Sequence, residues 1–127
     1  MKKQHIVWLA ILVLFIGFVV WLIRTPGRQV VSKYDGFATC LKDKGVTFYG
    51  AFWCPHCQAQ KALFGSAQKL LPYVECSNPD GNSQNETCNT AKITSYPTWE
   101  FPNGERLTGE QTFETLAEKS SCELPAA

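Results

Sequence analysis

Histidine and surplus basic charge are both scarce in this chain, and each scarcity closes off a class of function. Among 127 residues the only histidines are His5 and His56. A structural zinc site takes four Cys or His ligands in paired spacings. Only Cys54 and Cys57 have such a spacing, and Cys40, Cys76, Cys88 and Cys122 are scattered, so no metal is expected. The 12 Lys and Arg against 11 Asp and Glu give a net charge of +1, and from Tyr34 onward the counts are 7 and 11. Binding to nucleic acid needs a basic face, which this balance does not supply. The chain also lacks a Gly-rich phosphate loop, a serine triad, internal repeats and low-complexity tracts.

Charge is missing altogether from the 18 residues Ile6 to Ile23. As a helix they extend about 27 Å, just enough to cross the hydrocarbon core of a bilayer. Trp8 and Trp21 lie near the two ends, where aromatic rings suit the membrane interfaces. A buried core helix would normally carry a polar face, and this segment has none. A cleaved signal peptide is the rival reading, but Arg24-Thr25-Pro26-Gly27 offers no small-x-small cleavage pair. The expected organisation is a cytoplasmic N-terminus (1–5), a transmembrane anchor (6–23), a linker (24–33) and one small domain (34–127). Basic residues flank the apolar run on both sides and barely discriminate its orientation. Cysteine does discriminate. Six cysteines in so short a domain suit an oxidising compartment, so the domain is expected on the outer side of the cytoplasmic membrane.

The domain is organised around Phe48-Tyr49-Gly50-Ala51-Phe52-Trp53, an apolar run that ends on Cys54-Pro55-His56-Cys57. The run reads as a buried strand, and Ala59, Ala62, Leu63, Ala67, Leu70 and Leu71 then recur at helical spacing. Cys54 should therefore lie near a helix N-cap, with Pro55 at the first helical position. Unpaired N–H groups and the helix dipole favour an anion there, so the Cys54 sulfur should ionise more readily than a free thiol, whose pKa is about 8.5. Cys57 is one turn further on, within disulfide reach. The chemistry expected is dithiol–disulfide exchange.

The remaining elements follow in order. A short amphipathic helix over 34–44 is closed by Gly45, and the strand covers 46–52. A helix from about 55 to 71 is stopped by Pro72. Tyr73-Val74-Glu75-Cys76 is a second strand, parallel to the first because a helix joins them. A polar loop spans 77–85 and a short helix 86–93. A strand at 97–101 turns through Asn103-Gly104 into a returning strand at 105–108, and a last helix covers about 110–120.

This order, built on Trp53-Cys54-Pro55-His56-Cys57, resembles the thioredoxin-like disulfide oxidoreductases, and the CPHC tetrad is similar to that of DsbA-type oxidants. The resemblance implies an α/β thioredoxin-like fold, a central sheet flanked by helices, behind the transmembrane helix. It also implies a cis-proline at Tyr96-Pro97, 40 residues after Cys57. More closely, Tyr49 to Cys57, Pro72 to Cys76 and Tyr96 to Glu100 resemble the thioredoxin-like domain associated with bacterial vitamin K epoxide reductase (VKOR) homologues. That similarity runs from about Phe37 to Cys122. It implies a redox-active disulfide with no cofactor of its own, recharged by a separate VKOR-type membrane partner that holds the quinone. One departure stands out. The family patterns carry a buried acid six residues before the first active cysteine, and here that position is Phe48. The proton of Cys57 must then pass to water, to another group, or to an acid from elsewhere in the fold.

In the mechanism so implied, Cys54 is attacked by a substrate thiolate, Cys57 is its buried partner, and His56 stabilises the Cys54 thiolate by hydrogen bond or charge. Trp53 and Pro55 border the substrate, while Tyr96 and Pro97 offer backbone groups to an extended peptide. Cys76 and Cys88 flank the polar loop, and VKOR-associated domains carry an extra cysteine pair hereabouts. Cys40 and Cys122 are left to pair by parity, although four cysteines allow three connectivities. Asn85-Glu86-Thr87 is an N-glycosylation sequon. The favoured reading is an anchored oxidant of cysteine-containing exported proteins, poised at about −120 to −180 mV rather than about −270 mV. A tethered reductase or isomerase is the alternative. A non-catalytic binding module is the third reading, and an intact CxxC speaks against it.

Overall fold

The computed structural model describes residues 2–24 and 31–125. The chain divides into two compact units, Met1–Val30 and Val31–Ala127. The first holds one helix, α1 (Lys2–Arg24), with no described residue buried. It takes in the polar Lys2 to His5 as well as the apolar run, and its 23 residues extend about 35 Å. It is long and apolar enough to cross a membrane. Of the expected linker, residues 25–30 lie outside the described residues, and Val31 to Lys33 belong to the second unit. Ser32 ties that end down, its hydroxyl accepting the Tyr34 N–H at 3.2 Å and its own N–H reaching Asp35 Oδ2 at 3.2 Å.

The second unit runs α2 (Asp35–Asp43), β1 (Thr47–Gly50), α3 (Pro55–Leu63), β2 (Tyr73–Glu75), α4 (Glu86–Thr90), β3 (Thr98–Glu100), β4 (Arg106–Thr108) and α5 (Phe113–Ser120). The strands form one mixed sheet in the order β2-β1-β3-β4. β1 pairs parallel with β2, in register Gly50 with Glu75, and antiparallel with β3, in register Phe48 with Trp99. β3 and β4 form the hairpin expected around Asn103-Gly104.

β1 reads as a continuous apolar run because both of its faces are covered. Phe48 stacks on Trp99 with ring centroids 4.4 Å apart, in a core shared with Phe37 and Leu41 of α2, Cys57 of α3 and Leu116 of α5. One residue on, Tyr49 points the other way, into a smaller cluster with Cys76, Cys88 and Ile93. Two disulfides clamp the unit. Cys40 joins Cys122 across 82 positions, with Cα atoms 6.0 Å apart, and Cys76 joins Cys88 across 12, with Cα atoms 5.4 Å apart.

The expected helix over 55–71 is broken. α3 stops at Leu63, and a 3-10 helix over Gly65–Leu70 completes the connection to β2. The apolar spacing continues through the break, so periodicity alone does not register it. Gly65 makes it, with φ at +57°, a left-handed conformation that ends a helix and costs glycine least. The tighter turn then lets Phe64, fully buried, stack at 6.0 Å from Phe37 and pack edge-on at 4.8 Å from Phe113.

Candidate active site

The strand-to-helix junction expected at the tetrad is present, and it aims backbone hydrogen at sulfur. Cys54 is the N-cap of α3, in extended conformation, with Pro55 at the first helical position. Its Sγ accepts the Cys57 N–H at 3.3 Å, the place a capping oxygen normally takes. Both thiols are free, Cys54 at 4% and Cys57 at 1% exposure. Burial, then the hydrogen bond with Cys54, pushes the Cys57 thiol up to about 12, against a hydrogen bond from the Ala51 backbone and the Lys61 charge. Gly50 is what lets Cys57 sit so close under β1. A Cβ at position 50 would come within 2.9 Å of both Cys57 Sγ and Tyr73 Cε2.

An aromatic rim surrounds the tetrad. Phe52 and Trp53 are each about half exposed. Trp53 donates its Nε1–H to Ser77 Oγ at 2.9 Å and meets the Tyr96 ring edge-on at 6.0 Å. The Tyr96-Pro97 peptide bond is cis, Pro97 is fully buried, and the Tyr96 hydroxyl is hydrogen-bonded to Gln84 Oε1. The Pro97 carbonyl already accepts the Gly109 N–H at 2.8 Å, so part of the pairing capacity expected at this dipeptide is engaged inside the fold.

The His56 imidazole is largely exposed, and its Nδ1 lies 2.7 Å from Glu110 Oε1. One turn along α3, the fully buried Gln60 accepts the Gln111 N–H at 2.6 Å and donates to the Gln111 carbonyl at 3.1 Å. The Glu110-Gln111 segment is thereby held against the active-site helix at two points. The sequon asparagine is also engaged: Asn85 caps α4 through Cys88 N–H at 3.1 Å and donates to the Glu75 carbonyl at 2.6 Å.

A second set of residues behind Cys57 escaped the sequence reading. Glu75 Oε1 accepts N–H groups from Phe52 at 3.2 Å and Ser77 at 2.9 Å, while Oε2 accepts the Tyr73 hydroxyl at 2.7 Å. Lys61 Nζ lies 3.2 Å from the centre of the Tyr73 ring. Burial lowers the Lys61 pKa against the pull of Glu75 and Cys57, and burial with the Glu75 hydrogen bond raises that of Tyr73. Lys61 was within reach of sequence reasoning, four residues after Cys57 and so on the same helix face. Glu75 was not, because only the β1–β2 register brings it to the tetrad. Glu110, 54 positions from His56, leaves no local signal either. Among the described residues no group of three or more His, Cys, Asp or Glu side chains could hold a metal.

The thioredoxin family model matches residues 29–121. The thiol-disulfide oxidoreductase LTO1 of Arabidopsis thaliana is 42% identical over 110 residues, which cover 82% of this chain and 29% of that protein. The chain thus spans less than a third of the length of this relative.

Proposed function

Because this chain belongs to the thioredoxin family, we propose that it is a membrane-anchored thiol-disulfide oxidoreductase that works through Cys54 and Cys57. The observation that carries the proposal is the placement of the pair: two free thiols lie one turn apart at the start of α3, where Cys54 Sγ takes the capping position and accepts the Cys57 N–H at 3.3 Å. In the oxidising direction a substrate thiolate bonds to the Cys54 sulfur, the Cys54–Cys57 bond breaks, and its electron pair remains on Cys57. A second substrate thiolate then attacks the substrate sulfur of the mixed disulfide and releases Cys54 as thiolate. Two electrons pass from the substrate dithiol to the protein pair. Trp53 and Pro55 border this exchange, and Tyr96 and Pro97 flank the incoming peptide.

The direction and setting belong to the same proposal. Two disulfides besides the working pair suit an oxidising compartment, which argues for a domain outside the cytoplasmic membrane, anchored by α1 and acting on cysteines of exported proteins. The motif resemblance to VKOR-associated domains supports recharging by a VKOR-type membrane oxidase that supplies the quinone. A reductase or isomerase reading gains from one observation. The Glu110 carboxylate beside His56 counters any positive charge that the imidazole would offer to the Cys54 thiolate.

Two measurements on the full chain test this reading. Cys57→Ser should accumulate mixed disulfides through Cys54, for want of a resolving thiol, and Cys54→Ser should not. Equal trapping by both variants would refute catalysis in favour of simple binding. Equilibration with glutathione should then give a potential well above that of thioredoxin, about −270 mV. A value at or below about −250 mV would replace the oxidant with the reductase.

A further inference from the structure

Two aromatic rings beside the thiol pair come from distant parts of the chain and are held by one third segment. Trp53 directly precedes Cys54, Tyr96 directly precedes Pro97, and the rings meet edge-on at 6.0 Å. Both are hydrogen-bonded to the polar loop 77–85, between β2 and α4. Ser77 Oγ accepts the Trp53 Nε1–H at 2.9 Å, and Gln84 Oε1 accepts the Tyr96 hydroxyl. Each acceptor is committed by its own partners. The Ser77 hydroxyl donates to the Asn78 carbonyl at 2.9 Å, which leaves a lone pair for the indole. Gln84 Nε2 donates to Asn89 Oδ1 at 2.9 Å and to the Ile93 carbonyl at 3.0 Å, which turns the amide oxygen toward Tyr96. Ser77 and Gln84 also face each other in an isolated antiparallel bridge, and the Cys76–Cys88 disulfide closes the segment just outside them. At the loop tip, a Cβ on Gly81 would stand 3.5 Å from Phe52 Cζ and 3.7 Å from Trp53 Cδ1, so the backbone there lies against the rim.

We propose that Ser77 and Gln84 are positioning residues for peptide recognition: by fixing the Trp53 and Tyr96 rings as one wall beside the thiol pair, they set how well an extended, cysteine-containing peptide is held for exchange. The inference rests on the redox role of Cys54 and Cys57 stated above. A ring held by its polar edge keeps its apolar surface available. Phe52 and Trp53 remain about half exposed, so the wall offers aromatic area to an apolar side chain next to the reacting cysteine. Rings that are already fixed lose little freedom when the peptide arrives, and this preorganisation favours the complex. A small dithiol covers little of either ring and gains little from the wall. The loop therefore acts on the choice between a peptide and a small thiol, not on the chemistry at sulfur.

The test compares two reductants of the full chain in detergent micelles with the Cys54–Cys57 pair oxidised. One is dithiothreitol, and the other is a synthetic peptide carrying two reduced cysteines among apolar residues. Acid quenching, alkylation and mass spectrometry read the rate of reduction without relying on the tryptophans. Ser77→Ala and Gln84→Ala should each lower the ratio of the peptide rate to the dithiothreitol rate by about three- to tenfold, the range for one net hydrogen bond. Ser77→Thr, which keeps the hydroxyl, should restore the ratio. Tyr96→Phe removes the other end of the Gln84 bond, so combining it with Gln84→Ala should lower the ratio no further than either change alone. An unchanged ratio in Ser77→Ala and Gln84→Ala, whether both rates fall together or neither falls, overturns the proposal. Full multiplication of the effects of Gln84→Ala and Tyr96→Phe overturns the action of Gln84 through the ring. A wild-type protein that reacts with dithiothreitol but not with the peptide overturns peptide recognition at this wall. A wild-type protein that reacts with neither refutes the redox reading itself.

Discussion

Gly50→Ala tests the tightest place in the domain. Position 50 ends β1 with no positive φ, so alanine would ordinarily gain about 0.4–1 kcal/mol by restricting the unfolded chain. Against that stands a Cβ placed 2.9 Å from Cys57 Sγ, 2.9 Å from Tyr73 Cε2 and 3.4 Å from Cys57 Cβ. Neither neighbour is a loose end. Cys57 is fixed on α3 inside the main core, and the Tyr73 ring is tied through its hydroxyl to Glu75 at 2.7 Å. Overpacking of this kind costs about 1–3 kcal/mol, so the clash outweighs the entropic gain and the variant should lose about 1–2 kcal/mol net. Urea denaturation with the Cys54–Cys57 pair reduced measures the loss. A double-mutant cycle locates it: in a Cys57→Ala background one of the two closest atoms is gone, so Gly50→Ala should cost less there. The coupling should be at least about 0.5 kcal/mol, the usual range for residues in contact. A stable Gly50→Ala variant, or costs that simply add, would refute the close approach of sulfur to the strand.

Two further outcomes are expected. The Cys57 thiol is pushed from 9.0 up to about 12, so it favours the folded reduced protein at neutral pH; that stability should be lost as pH rises from about 9 toward 12, where the unfolded chain ionises first. Urea midpoints of the reduced protein should fall over that window by more than those of Cys57→Ala, and parallel curves would refute the burial argument. For the clamps, loop-closure entropy gives about 4.5 kcal/mol for the 82-position Cys40–Cys122 bridge and about 2.8 kcal/mol for the 12-position Cys76–Cys88 bridge. Paired Ala substitutions should therefore lower stability more at Cys40 and Cys122, and the reverse order would show that the small core around Cys76 and Cys88 outweighs chain entropy.

Sequence alone carried the order of elements in the second unit, because each rests on a local rule. Period-3.6 spacing marks α2 and α5, a continuous apolar run marks β1, Asn103-Gly104 marks the hairpin, and a helix between β1 and β2 makes them parallel. The N-cap location of Cys54 was equally legible, since Pro55 and the switch of periodicity both fall there. The uncharged run marked α1, although the helix extends to Lys2 because hydropathy does not see where hydrogen bonding ends.

Tertiary structure decided what depends on register and on distant pairs. The break at Gly65 is a backbone conformation that apolar spacing does not encode. Parity left the cysteine connectivity open, and only folding brings the Cα atoms of Cys40 and Cys122 to 6.0 Å. Only folding carries Glu110, 54 positions away, to within 2.7 Å of the His56 imidazole. Glu75 reaches the back of the site only because β2 lies parallel to β1 with Glu75 opposite Gly50. Charge placement follows contacts between elements far apart in the chain, and a linear pattern specifies those only through the fold.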